Sequence, residues 1–242
     1  MLLEIAVFNI SSALLAADAG ADRLELCENP LEGGTTPSYG TLKTAIEKIS
    51  IPVFPIIRPR GGDFFYDDFE FEVIKKDLLL CKELGFTGAV LGMLKTDGSI
   101  DTERTKRLVE WSYPMEITFH RAFDRASAPY ESLKQLISCG CSRILTSGQH
   151  PQVKDGLALV TGLIEAAADD IIILPGSGVR SRVLPALIQV GADEFHSSAR
   201  LTVPSQMDYT VKEMDESLEN LSVDATEIKL MKSILQSSPA NK

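Results

Sequence analysis

The stretch ITFHRAFD, residues 117–124, carries an apolar run straight into a histidine, an arginine and an aspartate. Strand alternation places Ile117 and Phe119 on one face and Glu116, Thr118 and His120 on the other. EFHSSAR, residues 194–200, repeats the pattern, with Phe195 alternating with Glu194 and His196. In RLELC, Leu24 and Leu26 alternate with Glu25 and Cys27, and near the start of the chain Glu4 shares a face with Ala6 and Phe8. Two of the three histidines therefore end strand-like runs that also carry carboxylates. Imidazole beside a carboxylate is suited to proton transfer near neutral pH, so His120 and His196 are candidate general acid-bases, with Glu25 orienting them or sharing their protons. The alternative for Glu4 and Glu25 is a buried network, for example Glu25 with Arg143, that only fixes the strands.

Three loops have the composition of anion sites. In RPRGGDFFYDD, residues 58–68, Arg58 and Arg60 can grip a carboxylate or phosphate bidentately while two glycines let the backbone come close. Solvated loop charges are the alternative there. LTSG, residues 145–148, and PGSGV, residues 175–179, each end a strand-like run, which adds Ser147, Gly148, Gly176, Ser177 and Gly178 as candidate anion-binding residues. A glycine-rich turn leading into a helix N-terminus offers unpaired N–H groups and the positive end of the helix dipole. Lys95 is the one lysine placed for a Schiff base. Among the cysteines, Cys81 falls on an apolar helical stripe and Cys139 and Cys141 form a Cys-Gly-Cys turn ahead of a strand. Cys27 alone sits at a strand's carboxyl end, and one thiolate makes a poor closed metal site.

Positioning these groups requires a repeating scaffold. GADRLEL, GFTGAVL, GCSRILT and GADEFHS all set a glycine just before a strand, and Gly20, Gly85, Gly140 and Gly191 punctuate units of helix, glycine stop and strand. Strands are expected at 2–9, 23–28, 53–59, 88–94, 115–121, 143–148, 171–176 and 194–198, with helices between them. Phe71, Ile74, Leu78 and Cys81 form one apolar stripe, while Glu72, Lys75, Lys76 and Lys82 line the rest of that helix. Eight such units predict an α/β fold, a single (β/α)8 TIM barrel over about 1–200, with an extension over about 200–242 whose segment VDATEIKLMKSIL packs on the barrel or on a second subunit. In such barrels chemistry gathers at the carboxyl ends of the strands, where the polar residues above fall.

Composition narrows the partners. The chain has 242 residues, 44% of them hydrophobic, and a net charge of −10 that disfavours nucleic acid. The opening MLLEIAVFN lacks a basic segment and carries Glu4, so it reads as a buried strand. No apolar run is long enough to span a membrane. Four cysteines without an extracellular cue point to reduced thiols in the cytoplasm.

RLELCENPLEGGTTPSYG, IPVFPIIRPRGGDFFY, ITFHRAFD, RILTSGQ and EFHSSAR together resemble the CutC family, named for a role in copper homeostasis, over about residues 2–200. The resemblance implies a (β/α)8 barrel, a cytoplasmic location, a homo-oligomer, and copper(I) binding through cysteines that include Cys27. Copper(I) is soft and suits thiolates. Copper-binding members tend to carry a second cysteine in the first strand, where this chain has Ala6. Residues 6 and 27, taken as facing positions of neighbouring strands, would set two thiolates about 5 Å apart. Ala6 leaves Cys27 with His120, His196 or a cysteine from elsewhere. Two functions follow: a copper(I)-handling protein, or a barrel enzyme acting on a small anionic or phosphorylated metabolite.

Overall fold

The computed structural model describes residues 1–211 and 213–238. Eight parallel strands alternate with helices. They are β1 (Leu2–Val7), β2 (Arg23–Leu26), β3 (Val53–Pro55), β4 (Gly88–Leu91), β5 (Glu116–Phe119), β6 (Arg143–Thr146), β7 (Ile172–Pro175) and β8 (Glu194–Ser197). Between them run α1 (Ile10–Asp18), α2 (Tyr39–Lys48), α3 (Asp68–Leu84), α4 (Thr102–Ser112), α5 (Pro129–Cys139), α6 (Leu157–Ala167) and α7 (Leu184–Gln189). β1 pairs with both β2 and β8, β2 pairs with β3, and β4 to β7 pair in chain order. A parallel bridge between Ile56 and Val90 joins β3 to β4, and β7 lies beside β8, so the expected barrel forms.

Each expected strand is present, and each stops short of its expected carboxyl end. The polar residues there leave the ladder to form turns and line the barrel mouth. Local chemistry sets the helices. α3 opens with a reciprocal cap in which Asp67 accepts the Glu70 N–H and the Glu70 carboxylate accepts the Asp67 N–H. Phe71, Ile74, Leu78 and Cys81 form its buried stripe. Gly20, Gly85, Gly140 and Gly191 all adopt positive φ where a helix hands over to a strand, the conformation that favours glycine.

Beyond β8 the chain forms an antiparallel hairpin, β9 (Arg200–Val203) with β10 (Asn220–Val223), and then α8 (Ala225–Ser237). α8 packs against β1, α1 and α7, burying Ile228, Met231 and Leu235. It occupies the position of the helix that follows the eighth strand.

Inside the barrel, the amino end is a charged floor. Arg23 binds Glu4 and Glu194, and Arg143 binds Glu194 and Glu116, each through contacts of 2.5 to 2.8 Å. Arg143 pairs with these two carboxylates rather than with Glu25. Both guanidinium groups also stack on Phe54, at 5.0 and 5.6 Å from its ring centre. Gly88 makes room for that ring, since a Cβ there would lie 2.3 Å from Phe54 Cζ. No helix among the described residues is long and apolar enough to cross a membrane.

Candidate active site

Above the floor, at the carboxyl ends of the strands, opens a cavity of about 940 Å³. Glu25, Cys27, His120 and His196 all line it, so four side chains from β2, β5 and β8 or their ends do converge.

His196 binds two carboxylates, with Nδ1 2.7 Å from Glu4 Oε1 and Nε2 3.7 Å from Glu25 Oε2. Burial alone would lower the His196 pKa, but the hydrogen bond to Glu4 and the charge of Glu25 outweigh it and raise the value. Glu4, fully buried, would be raised by burial, yet the His196 hydrogen bond and the Arg23 charge hold it down at about 2. Glu25 lacks such compensation: burial raises it to about 6 against the pull of His196, and Glu4 adds repulsion. Burial, then the Glu25 charge and hydrogen bond, push the Cys27 thiol well up. A relay thus runs from Arg23 through Glu4 to His196, with the Glu25 carboxylate 3.7 Å beyond it.

His120 differs in kind. Its Nδ1 accepts the Ala122 N–H at 3.1 Å, where the chain turns out of β5. Nε2 must then carry the proton of the neutral ring, and it is buried with no hydrogen-bond partner among the described residues. Burial, assisted by the Arg58 charge, lowers the His120 pKa to about 3. Phe64 packs tilted against the ring, centroids 5.0 Å apart. Gly92 clears the other side, since a Cβ there would lie 2.6 Å from Nδ1. The result is a fixed neutral N–H donor in a wall of the cavity.

The predicted anion loops mostly serve the chain's own groups. Arg58 lines the cavity, but it is buried and donates to the carbonyls of Glu32, Gly34 and Gly62 at 2.5 to 3.0 Å. Arg60 turns away from the mouth to Glu70 and Asp63. The turn at 145–148 does cradle an anion, and the anion is Asp124. That carboxylate accepts from Thr146 Oγ1 at 2.6 Å, Ser147 N at 3.0 Å and Gln149 N at 3.2 Å, with Arg121 Nε at 2.7 Å. Ser147 Oγ lies within hydrogen-bond reach of Asp124 and the His150 carbonyl, and Gly148 N–H donates to Thr146 Oγ1. Asp124 therefore explains why ITFHRAFD ends as it does.

Gly176 packs beneath Leu145 and His196, where a Cβ would sit 2.5 Å from Leu145 Cδ1. Ser177 and Gly178 do line the cavity, both at positive φ, with the Ser177 hydroxyl donating to the Pro151 carbonyl. α7 begins only at Leu184, so this turn does not abut a helix N-terminus. Lys95, the candidate Schiff-base lysine, lines the mouth, and residues not singled out from sequence complete it: Arg121, Arg125 and Arg200 add positive charge, and Phe64 and Leu94 supply apolar wall.

Copper(I) would need soft donors gathered at one place. Cys81 is buried in the stripe of α3, and Cys139 and Cys141 lie at the end of α5 and before β6, at the barrel's amino side. Cys27 is the only thiol of the mouth. The register corrects the expected pairing: Ala6 faces Glu25, while Cys27 lies two residues further along β2's path and its N–H donates to the Val7 carbonyl. His120 cannot offer Nε2 as a ligand while Nδ1 holds the Ala122 N–H. Among the described residues no group of three or more His, Cys, Asp or Glu side chains is set to hold a metal ion. The residues present do not fit a closed copper site.

Comparison with known proteins agrees with the barrel and identifies its family. The family protein CutC of Photorhabdus laumondii is 45% identical over 240 residues, 96% of each chain. That of Salmonella heidelberg is 47% identical over 208 residues, 86% of this chain and 84% of its own. The crystal structure of a CutC protein from Streptococcus agalactiae superposes with a TM-score of 0.77 at 33% identity, covering 82% of this chain and 98% of that one. With the model of the CutC family matching residues 1–201, this chain belongs to the CutC family.

Proposed function

We propose that the barrel mouth is the active site of an enzyme acting on a small anionic metabolite. The observation that carries this reading is the buried His120 Nε2–H, which meets no acceptor among the described residues and belongs to a side chain that lines the cavity. An unmatched buried donor costs about 1–3 kcal/mol, a cost that a ligand oxygen would remove. Lys95, Arg125 and Arg200 at the rim supply positive charge on a chain of net charge −10, and Glu25 and His196 supply proton carriers. The test is the thermal midpoint with inorganic phosphate, phosphorylated sugars and small carboxylates. A ligand at 100 times its Kd stabilises by about 2.7 kcal/mol, a shift of several degrees. His120→Gln is expected to shrink that shift, and the absence of any shift in the wild-type protein contradicts the reading.

Copper(I) handling, the role the family's name carries, is the second reading. Cys27, at the mouth and within the ELC segment, favours it. Copper(I) there would displace the thiol proton and draw its remaining ligands from outside the chain. Anaerobic titration against a copper(I) chelator decides: a tenfold or greater loss of affinity in Cys27→Ser supports it, and equal affinity removes Cys27 from the site. Four free cysteines support a cytoplasmic setting for either reading. A homo-oligomer has support in the exposed Met207, Tyr209 and Met214 between β9 and β10, and sedimentation velocity measures it.

A further inference from the structure

Building on the enzyme reading, we propose that the cavity enolises an anionic hydroxy-aldehyde or hydroxy-ketone: Glu25 removes a proton from the carbon beside the carbonyl, and His120 Nε2–H donates to the carbonyl oxygen as it becomes an enolate. The C–H bond breaks, its electron pair forms a carbon–carbon double bond, and the carbonyl π pair moves onto oxygen. The proton resides on the Glu25 carboxylate. Return to the same carbon exchanges that hydrogen with solvent. Return instead to the former carbonyl carbon, with the hydroxyl proton of the deprotonated carbon passing to the enolate oxygen, isomerises the substrate. Neither course needs an oxidant, a reductant or a second reactant.

The argument rests on placement. Glu25 on β2 and His120 just past β5 stand three strands apart around the barrel and line one cavity, so a small molecule can lie between them. They are respectively 5% and 4% exposed. The His120 donor is fixed by its Nδ1 bond to Ala122 and by Phe64, and it has no acceptor among the described residues. A preorganised neutral donor in a low-dielectric wall is what a developing enolate requires. Glu25 is faced by His196 from β8, Glu4 from β1, and Arg23 and Cys27 from its own strand and its end. Desolvation outweighs the favourable charges among these, so its carboxyl titrates at about 6 and is a base poised near neutral pH. Ile56, Phe64, Leu94 and Leu145 give the cavity an apolar lining, while Lys95, Arg125 and Arg200 can hold a phosphate or carboxylate at the rim.

The experiment is proton NMR in D₂O of hydrogen washout from dihydroxyacetone phosphate, glycolaldehyde phosphate, ribulose phosphate and hydroxypyruvate. It uses wild type, Glu25→Gln, Glu25→Asp and His120→Gln, with thermal midpoints in inorganic phosphate measured alongside. The expected result is wild-type washout from at least one compound, reduced about 100-fold or more in Glu25→Gln and in His120→Gln, mainly in kcat, and partly restored in Glu25→Asp. The wild-type rate should rise as pH increases through about 6 and then level, because the base works ionised. Washout that persists in Glu25→Gln or His120→Gln overturns the assignment. If no compound exchanges while phosphate raises the midpoint, enolisation is overturned and the anion site stands. If neither occurs, both fall.

Discussion

His196 Nδ1 lies 2.7 Å from Glu4 Oε1, and Glu4 also receives Arg23 from the charged floor, so one fully buried carboxylate ties the site's imidazole to the base of the barrel. Glu4 is held at about 2 although burial opposes ionisation. Its folded value lies below the unfolded one, so its stabilisation is present above about pH 4.5 and is lost as pH falls toward about 2. Glu4→Gln leaves Arg23 and His196 without their shared anion and is expected to cost about 3–5 kcal/mol in urea unfolding at pH 7. It should also lower the His196 pKa, which imidazole NMR reads directly. An unchanged His196 titration contradicts the relay.

Asp124 holds the turn at 146–149 through Thr146, Ser147 and Gln149. Asp124→Asn keeps the shape and removes the charge, and should destabilise by about 2 kcal/mol. Amide exchange at Ser147 and Gln149 should accelerate more than elsewhere. Uniform exchange would show that the carboxylate is not the anchor.

A Cβ at Gly88 would overlap the Phe54 ring on which Arg23 and Arg143 stack. Gly88→Ala is therefore expected to cost about 1–3 kcal/mol. Combining it with Phe54→Leu should cost less than the sum of the single changes, and strict additivity in a double-mutant cycle contradicts the packing described.

Burial and the Glu25 charge raise the Cys27 thiol, so iodoacetamide should alkylate it far more slowly at pH 8 than it does a free cysteine. Glu25→Gln should speed the reaction. Alkylation at the free-thiol rate contradicts the burial of the sulfur.

Much of this architecture is readable from residue order, and the reasons are local. Glycine at positive φ, apolar alternation and the α3 stripe depend on neighbours within a few residues, and these carry the eight strands and the convergence of Glu25, Cys27, His120 and His196. What sequence could not show are long-range choices. Arg58, Arg60 and Ser147 are typed for anions, but in the fold Arg58 donates to backbone carbonyls, Arg60 pairs with Glu70 and Asp63, and Ser147 bonds Asp124. The stagger that sets Ala6 against Glu25, and not against Cys27, comes from strand register, which apolar patterning reports only as odd or even. The tautomer of His120 follows from one backbone N–H two residues later, a turn geometry with no composition of its own.

The central claim is that His120, in the cavity wall, is a neutral imidazole with its proton on an unpartnered Nε2. Burial and Arg58 place its pKa at about 3, so it should not titrate between pH 5 and 8, and its stability contribution should fall only as pH drops below about 6.5 toward 3. Imidazole nitrogen NMR is the direct measurement. The account predicts a protonated Nε2 and an unprotonated Nδ1 throughout that range, with the Nε2–H signal moving when an anionic ligand binds. A protonated Nδ1, or a titration midpoint near 6.5, would contradict it.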